Sequence, residues 1–222
     1  EELEAFVKLL EETDTDIVAA DFLCIQDETD TVLQEKHCTP CREQYGHIVD
    51  LTKGEVVDVI KMHALTIRSA ILKQNHIQID EHCYYVDCEY ITYPIPFART
   101  VYFYSKFLYM YRLGRNGQSM DKNRMQHQKV LDSLLKFYAG LHGLSDGSMR
   151  YIERCIAQVV ENQFQIYISM GCESGIKKEL RNWDQGLKKR YPRIYSATRK
   201  KSITMLRRTN YTMLPIGTIV YK

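Results

Sequence analysis

The chain has 222 residues, 45% of them hydrophobic, which is enough to bury one good core or two small ones. No apolar run approaches the ~20 residues that span a bilayer and no charged-then-apolar leader stands at the start, so the sequence reads as a soluble, cytoplasmic chain. The net charge of +2 hides an asymmetry: residues 1–99 carry 20 acids against 8 bases, 100–144 carry 2 against 7, and 145–222 carry 6 against 15. Such a split suggests two sub-domains held partly by charge, or a basic end that meets an anionic surface. Seven cysteines, an odd number at irregular spacing, argue for reduced thiols over a disulfide framework.

In chain order, the first element is a predicted helix with Leu3, Phe6, Val7 and Leu10 on one face. After the polar Thr13–Thr15 turn, residues 16–25 read as a buried strand. Residues 26–60 are polar and low in periodicity. Within them Cys38 and Cys41 form a C-x-x-C pair, but a tetrahedral zinc site needs two further ligands that nothing fixes nearby, so the pair reads as a loop of free thiols. Met62 to Leu72 is a predicted helix stopped near Asn75, with His63 at its start as either a buried or a substrate-facing residue. Ile77 and Ile79 alternate with polar residues as a short strand.

A tyrosine field follows, with eight of the sixteen tyrosines between Tyr84 and Tyr111. The carboxylate of Asp87 sits near its start. Tyrosine faces pack against the C–H faces of sugars while their hydroxyls hydrogen-bond, so this combination suits a carbohydrate hydroxyl; a tyrosine-rich core is the plainer alternative. A helix should start near Asp87 and end at or before Pro94, where the carboxylate would serve either as an N-cap or as a base. Residues 99–104 and 107–112 then form two alternating runs around Ser105-Lys106, a hairpin signal with an apolar face and a tyrosine face. Arg112, Arg115, Gln118 and Ser119 follow on a loop hinged by Gly114 and Gly117.

From Asp121 onward the pattern is helical. Met125, Val130, Leu131, Leu134, Leu135 and Tyr138 make one stripe. Residues 148–170 make a second, Ile176, Leu180, Trp183 and Leu187 a third stopped by Pro192, and residues 196–208 a fourth. The exposed face of this region is basic, including Lys177, Lys178, Lys188, Lys189, Arg199, Lys200, Arg207 and Arg208. Nucleic-acid binding lacks any motif here and is set aside. An anionic lipid surface, the acidic half of the same chain and a plain solvated face remain.

Taken together, Tyr85-Val86-Asp87-Cys88-Glu89-Tyr90, the strand from Thr100, Leu108-Tyr109-Met110-Tyr111-Arg112 and Gly114-Arg115-Asn116-Gly117-Gln118-Ser119 resemble, in order and spacing, the second half of the catalytic domain of family 2 glycosyltransferases. The Asp16-Ile17-Val18 strand resembles the one that follows the metal motif in that family. The resemblance implies a bacterial, inverting enzyme of cell-surface polysaccharide synthesis, which moves sugar from a nucleotide-sugar to a glycan or lipid-linked acceptor. It implies an α/β to α+β fold: residues 1–121 as the acceptor-side half of the transferase domain, a small mixed sheet with a hairpin and flanking helices, and residues 122–222 as a helical appendage. Asp87 would be the base, although the family's usual Glu-Asp pair is here Val86-Asp87. Tyr84, Tyr85, Glu89, Tyr90 and His63 would bind the acceptor. Arg112, Arg115, Gln118 and Ser119 would meet the donor diphosphate. The family's nucleotide-binding first half, with its Asp-x-Asp motif for manganese or magnesium, is not recognisable in the chain, which reads as a fragment inactive by itself, cytoplasmic and peripheral to the inner face of the plasma membrane. The competing class is a non-catalytic carbohydrate-binding or helical interaction module.

Overall fold

The computed structural model describes residues 1–83, 85–114, 124–171 and 173–215. Among them a mixed sheet is packed against helices. Strand β1 (Ile17–Gln26) lies near its centre and is buried along almost its whole length. On one side β1 pairs antiparallel with two short strands in succession: β4 (Leu65–Ile67) beside residues 17–19, and β2 (Val32–Lys36) beside residues 22–25. On its other side runs β5 (Thr100–Leu113), parallel to β1, with β3 (Ile48–Asp50) antiparallel beyond it. The inner strand is rich in Ile, Val, Ala and Phe without strict alternation, as expected where both faces of a sheet are covered. Helix α1 (Glu2–Glu12) contributes to one cover through Phe6, whose ring packs on Tyr104 at 5.5 Å.

The two runs around Ser105-Lys106 form one strand, not a hairpin. Ala20 pairs with Tyr104 and Asp21 with Phe107, so Ser105 and Lys106 are looped out of register as an irregularity within β5. Beyond it the expected faces do not hold: Met110 is exposed while Tyr111 packs against the core.

The segment expected as a helix over 62–72 is divided into a 3₁₀ turn (Met62–Ala64), β4, and the short helix α2 (Ser69–Gln74), because Leu65–Ile67 is claimed by the edge of β1. Residues 77–79 form no strand. Helix α3 (Asp87–Thr92) starts and stops where expected, the chain turning at Pro94 into a second 3₁₀ turn.

The helical half is built on α5 (Asp146–Ser169), whose N-cap Ser145 accepts the Ser148 N–H at 3.1 Å. Packed around it are α3, α4 (Arg124–Ala139), α6 (Ile176–Arg190) and α7 (Pro192–Ala197), with α8 (Lys201–Arg208) closing the end. One connected apolar cluster runs from Ile17, Val101 and Phe103 in the sheet through Ile91 and Ile95 to Leu134, Ile156 and Leu187 in the helices. Val130, Leu131, Leu134 and Leu135 are buried as their spacing predicts, but Met125 is 78% exposed and does not belong to the stripe.

Arg207 likewise leaves the basic face. Its guanidinium is turned inward, donating through Nε and Nη2 to the carboxylate of Asp184 on α6 (2.9 and 2.8 Å) and lying 3.5 Å over the Tyr195 ring. No helix among the described residues is long and apolar enough to cross a membrane.

Candidate functional site

A cleft of about 550 Å³ opens where the carboxyl-terminal part of β1, the turn after β2, the strap before β4 and the middle of α5 converge. Phe22 and Cys24 form its floor; Lys36, His37, Lys61, His63 and Tyr111 stand around it. The strap is pinned to α5 by side chains: the Ile60 N–H donates to the Tyr151 hydroxyl at 3.0 Å, and Arg154 donates to the Val56 carbonyl. Both anchors satisfy backbone groups that no regular element covers.

His63 sits on the 3₁₀ turn at the end of that strap. Its ring is stacked on Tyr111 (4.5 Å, 14°), lies parallel to Tyr109 at 5.8 Å, and meets the ring of Phe22 edge-on at 4.4 Å. Register explains the grouping, since Phe22 pairs with Tyr109 and Cys24 with Tyr111 across β1 and β5. Burial lowers the His63 pKa, and the nearby Asp87 carboxylate opposes that shift without cancelling it. The ring is therefore neutral near pH 7, able to donate through one nitrogen and accept through the other. Beside it Lys61 donates to Gln158, and crowding of its ammonium by the chain pulls its pKa below the usual lysine value, with Asp87 again acting in the opposite sense.

Asp87 is half-buried in the first turn of α3. It is not the cap, which is Val86. Its charge acts on Lys61 and His63 of the strap and on His127 of α4, although Asp87 does not line the cleft. Burial raises the pKa of the adjacent Cys88 thiol, and the Asp87 charge raises it further.

The other candidates are placed differently. Tyr85 has a positive φ of 71° and presents its ring to the edge of the buried His127 at 4.7 Å. Glu89 is fully buried, and its carboxylate accepts the Asp80 N–H (2.7 Å) and the Tyr93 hydroxyl (3.0 Å), an anchor for the chain ahead of α3. Burial raises its pKa. Tyr90 is half-buried against the core. Arg112 lies at the far end of β5, donating to the Asp30 carboxylate at 2.5 Å and to the Asp27 carbonyl at 3.2 Å. Tyr84, Arg115, Gln118 and Ser119 lie outside the described residues.

Sequence reasoning missed a second polar arrangement on the same cleft. Asp21, in the middle of β1 and 3% exposed, accepts the Cys38 N–H (2.9 Å), the Tyr45 hydroxyl (2.7 Å) and Nδ1–H of His37 (2.7 Å). A buried carboxylate is tolerated there because three donors satisfy it. As a carboxylate only accepts, the proton of neutral His37 is on Nδ1 and the free Nε2 is an acceptor. The only signal in the sequence was an acid inside an otherwise apolar strand.

Cys38 turns its thiol to the Ala19 carbonyl at 3.3 Å, and burial raises its pKa, while Cys41 donates to Glu43. The described cysteines are free thiols. Among the described residues no group of three or more His, Cys, Asp or Glu side chains is placed to hold a metal ion. No family model, curated protein or solved structure matches the chain.

Proposed function

We propose that the cleft is the acceptor-binding side of an inverting glycosyltransferase that uses a nucleotide-sugar donor. The observation that carries the reading is the stacking of His63 on Tyr111 alongside Tyr109, on a cleft that Lys61 also lines, with the charge of Asp87 acting on both His63 and Lys61. Flat rings offer a platform for the C–H face of a sugar, and neutral imidazole, ammonium and carboxylate groups provide donors and acceptors for its hydroxyls.

In this reading Asp87 takes the proton from an acceptor hydroxyl as that oxygen forms its bond to the anomeric carbon. The bond from the anomeric carbon to the donor diphosphate breaks, and the leaving group keeps the electron pair. His63 orients the acceptor, its neutral ring offering one donor and one acceptor to the sugar hydroxyls. The donor and its metal are assigned to a nucleotide-binding half that these residues do not resemble.

The test uses the chain itself. Saturation-transfer NMR against a panel of neutral oligosaccharides should detect binding that His63→Ala and Tyr111→Ala each weaken by roughly tenfold or more, the scale of a lost stacking contact of ~1–2 kcal/mol. Asp87→Asn should leave binding nearly unchanged, because Asn keeps the size and most of the hydrogen bonds. No glycan binding at all, or binding indifferent to both ring substitutions in variants that melt like the parent, removes the reading.

A further inference from the structure

On the opposite side of the strap anchor lies a second concavity of about 560 Å³ that the glycosyltransferase reading does not use. Arg150, Glu153 and Arg154 of α5 line one wall; Pro192, Arg193 and Ser196 of α7, with Arg199 just beyond it, line the other. Four guanidinium groups thus face one carboxylate. That carboxylate is spoken for: Glu153 is 5% exposed and its Oε1 accepts from the Tyr138 hydroxyl at 2.8 Å and from Nε of Arg193 at 2.7 Å.

Among the described residues no carboxylate lies within ion-pair distance of Arg150, Arg154 or Arg199. The nearest acid to the Arg199 segment, buried Glu161, spends its Oε1 on the backbone N–H groups of Arg199 and Lys200, which fixes that segment at the rim. Arg154 is held in place by the Val56 carbonyl below it and by the Tyr151 ring at 5.7 Å. Its Nε is buried with no hydrogen-bond partner among the described residues. Burial, and after it the charge of Arg199, lowers the Arg154 pKa, while the charge of Asp58 is the weakest of the opposing influences.

Like charges gathered in a concave, partly desolvated site raise the free energy of the empty protein, and a bound anion relieves it. The planar forks of arginine match phosphate oxygens in pairs, which selects tetrahedral oxyanions over chloride or a lone carboxylate. The volume exceeds what inorganic phosphate alone fills, and Pro192 and Ala197 offer an apolar flank. We propose that the groove of Arg150, Arg154, Arg193 and Arg199 is a binding site for a phosphate-bearing ligand, either a soluble phosphorylated compound or the phosphomonoester headgroup of a lipid.

Two arms of one experiment separate the sources. Calorimetry with inorganic pyrophosphate, and flotation with phosphatidylcholine vesicles containing about one-fifth phosphatidic acid, are run on the full chain and on two double variants. Arg150→Gln with Arg199→Gln removes two exposed guanidiniums of the groove. Lys177→Gln with Lys178→Gln removes the same charge from the exposed face of α6 as a control. The expected result is saturable binding that weakens roughly tenfold or more in the arginine variant and little in the lysine control. Binding of pyrophosphate identifies a soluble phosphate ligand, and binding of the vesicles alone identifies the headgroup. Binding in neither arm, or equal loss in both variants of unchanged melting behaviour, overturns the proposal in favour of diffuse surface charge.

Discussion

The pair between Asp184 and Arg207 gives a sharp test of how the carboxyl-terminal helices are held together. Asp184 is 1% exposed on α6, and its two oxygens receive Nε and Nη2 of Arg207 and the hydroxyl of Tyr211. Arg207 in turn donates Nη1 to the Tyr195 carbonyl and the Thr198 hydroxyl, so one carboxylate organises α6, α7 and α8. In Asp184→Asn the shape survives, but the guanidinium, 14% exposed, loses its counter-charge and the new amide N–H₂ group points at donors.

Two charge-assisted hydrogen bonds at ~1.5–3 kcal/mol each and a neutral one near ~1 kcal/mol set an upper range. Because the three bonds are not independent, the measured cost of breaking buried pairs, ~3–5 kcal/mol, is the better figure. For a chain of this length each kcal/mol shifts the melting temperature by about 2–4 °C, so the variant should melt roughly 6–20 °C lower by calorimetry or circular dichroism. A fall of less than about 3 °C would mean that water or the Tyr195 ring already compensates Arg207, and would refute the assignment of the pair as the fastener of this end. Replacing both residues with apolar ones of similar volume should recover most of the loss, since an ion pair removed whole leaves no stranded charge.

Gly147→Ala should destabilise by ~1–3 kcal/mol or more, because the new Cβ would lie 2.1 Å from the Thr52 carbonyl oxygen and 2.4 Å from the Gly54 nitrogen, both backbone atoms that cannot rotate away; a melting temperature equal to the parent's would show that the turn at residues 51–54 lifts freely from α5. The two histidines with lowered pKa values, His63 and His127, make stability depend on pH. Between their folded values and the unfolded value of 6.5, the unfolded chain binds more protons, so this contribution is complete above about pH 6.5 and is lost as pH falls below it. His63→Gln should therefore flatten the decline in urea midpoint between about pH 7 and pH 5, and an unchanged decline would contradict the burial of that ring. Under the proposed function, calorimetry of the chain with UDP-sugars and manganese should give weak binding or none. Tight, metal-dependent binding would place the donor site within these residues.

The parts legible in the sequence are those fixed by local pattern. The 3.6-residue spacing of Val130, Leu131, Leu134 and Leu135, and of Ile176, Leu180 and Leu187, located α4 and α6 because a helix satisfies its own backbone and needs only one apolar face. Asp87 and Pro94 likewise bracketed α3. What escaped depends on partners far along the chain. Leu65–Ile67 has helical neighbours and forms a strand only because residues 17–19 offer an open edge. Ser105-Lys106 has the composition of a turn, yet pairing with β1 on either side draws the strand straight through.

The site divides in the same way. His63 and Asp87 were found as single residues, while the stacking of His63 on Tyr111 beside Phe22 depends on the sheet register, and the seating of His37 on Asp21 on the turn that follows β2. Arg207 read as surface charge because nothing in its own helix announces Asp184, 23 positions earlier.

The parallel pairing of β1 with β5 also sets the order in which the protein can be made. Ile17 meets Val101, so the two innermost strands are more than eighty positions apart and everything between them must be gathered before they join. During synthesis β1 leaves the ribosome well before β5 and, until Leu113 follows, can be completed only on the side taken by β2 and β4. Its other edge, lined by Ile, Val, Ala and Phe, is an adhesive surface for that whole interval. Folding should be slow for a chain of this helix content, and a chaperone that shields residues 17–26 should raise the yield of native protein more than one that binds the later helices.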